Sequence, residues 1–228
     1  MTSSVATRSH GQPRSIALFG GTFDPIHSGH IAVAQAARRR FHLDAIYFIP
    51  SSRPPHKSKT SLTPFAHRYA QVALACENHE GFLPSLAEAP PDSSGTHVFY
   101  SLDTVKAFKK EFPSDHLYFI LGADQFLEIP TWRHYETLLD SCDFIIANRP
   151  GFRMDALRLV IPPEMRGRVA SRDANKIALR KSTVYLLSTV RSHISSTEVR
   201  QRLHSGKPVD GLVPASVQEY IQRQGLYQ

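Results

Sequence analysis

The sequence predicts an α/β fold, a doubly wound parallel sheet in a single domain, on three observations. Short apolar runs rich in β-branched and aromatic residues recur along the chain. These runs are nearly continuous rather than alternating, the pattern of strands buried on both faces. Helical patterns lie between several of them, which implies right-handed crossovers between parallel strands. At 228 residues the chain is long enough for one domain with a sizeable core.

Taken in order, residues 1–14 are polar and read as a disordered N-terminal tail, with one domain over 15–228. SIALF (15–19) is the first strand, followed by a glycine-containing turn and a helical pattern from Ile31 to Phe41. AIYFIP (45–50) is the second strand, with helices expected over Thr63 to Cys76 and Leu102 to Phe112. HLYFIL (116–121), a helix over Tyr135 to Leu139, DFIIAN (143–148) and TVYLLS (183–188) continue the alternation. The least regular stretch, around 152–182, reads as an insertion or extended loop, or equally as a solvated surface segment. VPASVQEYIQRQGLY, with Pro214 near its start and Gly225 as a stop, reads as a final docking helix. Ligands of such sheets bind beyond the carboxyl ends of the strands, so the loops after Phe19, Pro50, Leu121 and Ala147 are the first places to look.

Lysine and arginine number 27 against 20 acidic residues, a net charge of +7 that favours an anionic ligand or simply marks a basic surface. The only cysteines, Cys76 and Cys142, make neither a disulfide framework nor a CxxC pair, which suits a reducing cytoplasm. With no run of about 18 apolar residues, no membrane partner is expected.

The stretch LFGGTFDPIHSGH follows the first strand. Gly20 and Gly21 would let the backbone turn sharply and approach a ligand, while a helix starting near Ser28 would offer amides to an anion. His27 and His30, three apart, would share one face at the start of that helix and can donate to phosphate oxygens. Metal ligation or core packing are the other readings of such a pair, and metal would need a third ligand in register. The loop has neither GxxxxGK[ST] nor GxGxxG, so it is no Walker loop and no dinucleotide fingerprint. Near the other end, HISSTEVRQRLHSG contains an S-x-x-E capping box from Ser195 to Glu198. As structure this is a well-made helix start. It also places Ser195, Ser196 and Arg200 beside a helix N-terminus, a good grip for a polyphosphate.

GGTFDPIHSGH resembles the GxFxPxHxGH signature of the nucleotidyltransferase superfamily, whose sheet is Rossmann-like, and ISSTEVR resembles its ISSTxxR signature. Between them SSRPPHKSK (51–59), LGADQF (121–126), PTW (130–132) and NRPG (148–151) resemble bacterial nicotinate-nucleotide adenylyltransferases. The resemblance runs from about Ile16 to Tyr227. It implies transfer of the adenylyl group of ATP to nicotinate mononucleotide, giving the deamido precursor of NAD and pyrophosphate, with Mg2+ carried by ATP and no protein metal site.

The same resemblance implies the roles of individual residues. His27, His30 and Arg200 would be catalytic. Gly20, Gly21, Thr22, Phe23, His56, Lys57, Asp124, Ser195 and Ser196 would bind ATP, with the Thr22 and Phe23 backbone and the His56 and Lys57 side chains on its phosphates. Asp124 would reach nucleotide hydroxyls, and an Asp at that place is equally a helix N-cap. Trp132, the single tryptophan, would face the cationic nicotinate ring, whereas a lone tryptophan is otherwise a core residue. Tyr100 and Ser101 would hold the nicotinate carboxylate. The family's basic residue before that pair has no counterpart from Ser85 to Ser101, which directs attention to Arg149. Two other readings are a transferase acting on a different acceptor, such as phosphopantetheine, and an RNA-binding module. The aromatics lie in strands rather than in a stacking array, so no nucleic-acid partner is expected.

Overall fold

The computed structural model describes residues 12–52, 62–91, 98–148, 154–166, 175–187 and 194–228. Seven strands form one sheet: β1 (Ser15–Gly21), β2 (Ala45–Pro50), β3 (Phe82–Pro84), β4 (His116–Gly122), β5 (Asp143–Ala147), β6 (Lys176–Ala178) and β7 (Thr183–Leu187), in the order β3-β2-β1-β4-β5-β7-β6. Every pairing is parallel except β6 with β7. The chain winds outward from β1 to β3, returns to β4 and winds the other way, so the strand order reverses between β1 and β4. A ligand crevice belongs at that switch point.

The helices are α1 (Ser28–Phe41), α2 (Phe65–Cys76), α3 (Ser101–Glu111), α4 (Ala123–Leu127), α5 (Tyr135–Leu139), α6 (Met154–Leu159), α7 (Ser196–His204) and α8 (Ala215–Gln224). They split between the faces of the sheet because successive strand residues point to opposite sides. Ile16 and Leu18 of β1 pack with Leu102, Val105 and Phe108 of α3, Phe126 of α4 and Leu138 of α5. Ala17 and Phe19 pack with Ile31 and Ala34 of α1, Val72 of α2, Val199 of α7 and Ile221 of α8. Strands sandwiched this way carry apolar residues on both sides, which is why their sequences are continuous runs. Burying each of these Ile, Leu, Val and Phe side chains contributes about 1.5–3 kcal/mol.

Helix ends follow local chemistry. The last turn of α1 carries Arg38, Arg39 and Arg40, which complement the negative end of the helix dipole, and His42 closes it in a left-handed conformation with φ 51°. Gly225, φ 60°, ends α8 where the sequence places a stop. Of the stretch around 152–182, the described parts form α6, a short 3-10 turn over Pro163–Met165 and the edge strand β6.

Candidate active site

A cleft of about 560 Å³ opens at the switch point, lined by the ends of β1 (Phe19, Gly20, Gly21), β4 (Gly122) and β5 (Ala147) and by the starts of α1 and α7. It brings together Gly20, Gly21, Thr22, Phe23, His27, His30, Asp124, Trp132, Ser195, Ser196 and Arg200. Tyr100 and Ser101 are not among its lining residues; Tyr100 precedes α3 and Ser101 begins it. His56, Lys57 and Arg149 lie outside the described residues.

The glycines play a different part from the one expected. β1 runs straight through Gly21, and neither Gly20 nor Gly21 has a positive φ. The sharp conformation belongs to Phe23, at φ 47°. Its ring is buried against Phe19, Phe48 and the His30 imidazole, and a Cβ on Gly21 would come within 3.0 Å of it. Gly21 thus leaves room for the Phe23 ring, which in turn holds the strained loop.

His27 is the N-cap of α1, and His30 sits at its third position. The His27 amide donates to His30 Nδ1 at 3.2 Å, and the two rings stack with centroids 3.6 Å apart. With Nδ1 accepting, the neutral His30 ring carries its hydrogen on Nε2 as a donor. A histidine here does the work that Glu or Gln does in an ordinary capping box. α1 is anchored from outside as well, since the Ser28 amide donates to the Leu212 carbonyl at 2.8 Å.

At α7, Ser195 is the N-cap and its Oγ accepts from the Glu198 amide at 3.1 Å. Ser196 Oγ donates to the Pro25 carbonyl at 2.9 Å. Both hydroxyls therefore serve the fold first, and the Ser195 hydroxyl hydrogen is what that residue still offers to a ligand. Arg200 donates through Nη1 to the Asp24 carbonyl at 2.6 Å, which moors its guanidinium at the rim of the cleft.

Asp124 is not an N-cap. Gly122 caps α4, its amide donating to Gln125 Oε1 at 3.2 Å, and Asp124 lies within the first turn. A Cβ on Gly122 would stand 2.5 Å from Asp124 Oδ1, so this glycine is what lets the carboxylate fold back over the strand end. Trp132 is half-buried, packed on the α3–α5 side of the core with its surface on the cleft. Arg133 stacks its guanidinium over the Tyr100 ring at 4.6 Å.

Several contributors were assigned no role from the sequence, although Asp24, Gln125, Asn148 and Thr197 stand inside the quoted motifs. Thr197, Gln125, Glu128 and Asn148 also line the cleft. Asp24, 4% exposed, accepts from the Tyr227 hydroxyl at 2.9 Å and from the Thr63 amide at 3.4 Å. Arg68 is fully buried behind the loop after β1; burial pulls its guanidinium below its usual value and the Asp24 charge opposes that shift. Among the described residues no group of three or more His, Cys, Asp and Glu is placed to hold a metal ion, and no helix is long and apolar enough to cross a membrane.

A Rossmann-like sheet with this cleft, together with a match of residues 18–202 to the family model described as "Cytidylyltransferase-like", defines a nucleotidyltransferase. A protein of Moorella thermoacetica named "Probable nicotinate-nucleotide adenylyltransferase" is 40% identical over 220 residues, 95% of this chain and 93% of its own length. One of the same name from Geobacter sulfurreducens is 36% identical over 213 residues, 92% of this chain and 96% of its own length. The solved structure of Plasmodium falciparum nicotinic acid mononucleotide adenylyltransferase complexed with NaAD superposes with a TM-score of 0.70, covering 94% of this chain and 97% of that one, at 22% identity. The chain belongs to the nicotinate-nucleotide adenylyltransferase family.

Proposed function

We propose that the chain joins the 5′-phosphate of nicotinate mononucleotide to the α-phosphorus of ATP by direct in-line attack, without a covalent intermediate. A phosphate oxygen of the mononucleotide forms the new bond to the α-phosphorus. The bond from that phosphorus to the oxygen bridging toward the β-phosphorus breaks, and its electron pair leaves with pyrophosphate. The attacking phosphate is already an anion, so no general base is needed, and the protein's work is to position two anions and offset developing charge.

The observation that carries this reading is the convergence of two helix N-termini, those of α1 and α7, with His27, His30 and Arg200 in one cleft at the switch point. Helix N-termini, ring N–H donors and a guanidinium are what a polyphosphate requires. In this reading His30 Nε2 and Arg200 meet the phosphates, while the backbone of Thr22 and Phe23 and the Ser195 hydroxyl complete the grip. Asp124 accepts from nucleotide hydroxyls. Mg2+ enters with ATP as part of the substrate, liganded by phosphate oxygens. Trp132 faces the cationic pyridine ring. In this reading Arg133, the chain neighbour of Trp132 with its guanidinium over the Tyr100 ring, is the candidate source of positive charge for an acid acceptor.

Pyrophosphate release from ATP and Mg2+, measured in parallel with nicotinate mononucleotide, nicotinamide mononucleotide and phosphopantetheine, tests the assignment. The acid mononucleotide is expected to have the highest kcat/KM. A higher value with the amide overturns the carboxylate reading, and preference for phosphopantetheine overturns the acceptor altogether.

A further inference from the structure

We propose that Arg68, an α2 residue outside the cleft, is a positioning residue for the nucleotide: it sets the direction of the Phe23 amide by holding the Thr22 carbonyl. The inference rests on the adenylyl-transfer reading for its functional consequence, but its geometry stands by itself. Arg68 is 1% exposed, and its guanidinium is spent on backbone. Nη1 donates to the Thr22 carbonyl at 2.8 Å and to the Ser51 carbonyl at 2.7 Å. Nη2 donates to the Ser52 carbonyl at 3.2 Å, and Nε donates to the Thr63 carbonyl at 2.8 Å.

Three separate pieces of chain are thereby fastened to one planar group: the loop after β1, the residues leaving β2 and the residue preceding Pro64 at the start of α2. A peptide unit is planar and trans, so its carbonyl and its N–H point in opposite directions. Holding the Thr22 carbonyl toward Arg68 therefore turns the Phe23 N–H away from Arg68. Thr22 and Phe23 line the cleft and Arg68 does not, so the amide is turned to the ligand side. Phe23 is also the residue with a left-handed φ of 47°, a conformation that relaxes unless its neighbours enforce it. The Ser51 amide donates to the Gly21 carbonyl at 2.8 Å, so the residues after β2 and the end of β1 are braced from both sides. A lysine retains the charge but cannot reproduce a rigid fork serving four carbonyls in different directions. The Arg68 guanidinium in turn rests over the Phe65 ring at 5.6 Å.

The test compares wild type with Arg68→Lys, Arg68→Ala and Phe65→Leu, each assayed well below its own melting temperature. For Arg68→Lys, kcat/KM for ATP is expected to fall roughly 30-fold while KM for the mononucleotide moves less than about threefold. Methylguanidinium, but not methylammonium, is expected to restore at least about fivefold of the Arg68→Ala activity. Wild-type kcat/KM for ATP in Arg68→Lys, equal losses toward both substrates, or rescue by methylammonium as well as by methylguanidinium overturns the proposal. If neither Arg68 variant folds, Phe65→Leu decides: a rise in KM for ATP of about threefold with an unmoved mononucleotide KM supports it, and no change overturns it. Calorimetric binding of ATP and Mg2+ without acceptor separates the two readings. An enzyme that binds ATP, loses about tenfold affinity in Arg68→Lys and yet releases no pyrophosphate with any acceptor keeps the Arg68 assignment and loses the reaction. Unchanged ATP affinity in Arg68→Lys removes the assignment whatever the reaction.

Discussion

The Tyr227 hydroxyl donates a 2.9 Å hydrogen bond to Asp24 Oδ1, a contact that spans 203 residues of sequence and seals the loop after β1 from behind. Gln71 donates to the same hydroxyl at 3.3 Å, and burial raises the Tyr227 phenol well above its ordinary value, so it stays a donor across the usable pH range. Tyr227→Phe leaves a buried carboxylate short of one donor, which is expected to destabilise the fold by about 1–3 kcal/mol. Melting temperature should fall by roughly 2–10 °C. An unchanged melting temperature would place water at Asp24 instead.

His30→Ala removes a ring that lines the cleft, a donor to developing charge in the proposed reaction, and takes an acceptor from the His27 amide. Turnover is expected to fall about 10²–10³-fold, with KM for the mononucleotide nearly constant. Equal losses in turnover and mononucleotide binding would assign His30 to the helix start alone.

Trp132→Ala is expected to raise KM for the mononucleotide about tenfold, with KM for ATP close to wild type. Steady-state kinetics with each substrate varied in turn checks this. A purely structural tryptophan would lower the melting temperature and leave both Michaelis constants in place.

His116 and Asp143, at the starts of β4 and β5, pair at 2.9 Å. The Asp143 hydrogen bond, against an opposing burial effect, raises the His116 pKa above 6.5. A raised pKa means that the native state holds the proton more tightly. The resulting stability is complete below about pH 6.5 and is lost as pH rises through the higher folded value. The imidazole is 52% exposed, so the contribution is below about 1 kcal/mol. Urea unfolding of wild type and His116→Gln should differ more at pH 5.5 than at pH 8.5; a constant difference would refute the pairing as a proton-linked one.

The five long strands were legible because burial on both faces writes itself as an unbroken apolar run. β3 and β6 were not, since three residues cannot establish a period and each lies at an edge of the sheet. The cleft was legible in outline because two signature blocks carry most of its lining. Its support was hidden: Arg68 sits in an amphipathic helix, where an arginine ordinarily marks the wet face, and only the fold reveals that loop carbonyls surround it. The role of Gly21 was hidden for a similar reason. A glycine pair after a strand reads as a turn, and the clash that demands it involves the ring two residues further on.

The sheet partitions the interior into two packing compartments, and the cleft draws on both. Phe19, Phe23, Val199 and Ile194, on the side where the starts of α1 and α7 meet the cleft, belong with α1, α2, α7 and α8. Trp132, Ile129 and Phe126 belong with α3 to α6 on the other side. Residues that share no packing partner combine nearly additively when changed. On the proposed assignment, acceptor preference and phosphate handling are therefore separable traits, so a lineage could drift toward a new acceptor by remodelling one layer while the opposite layer keeps the chemistry.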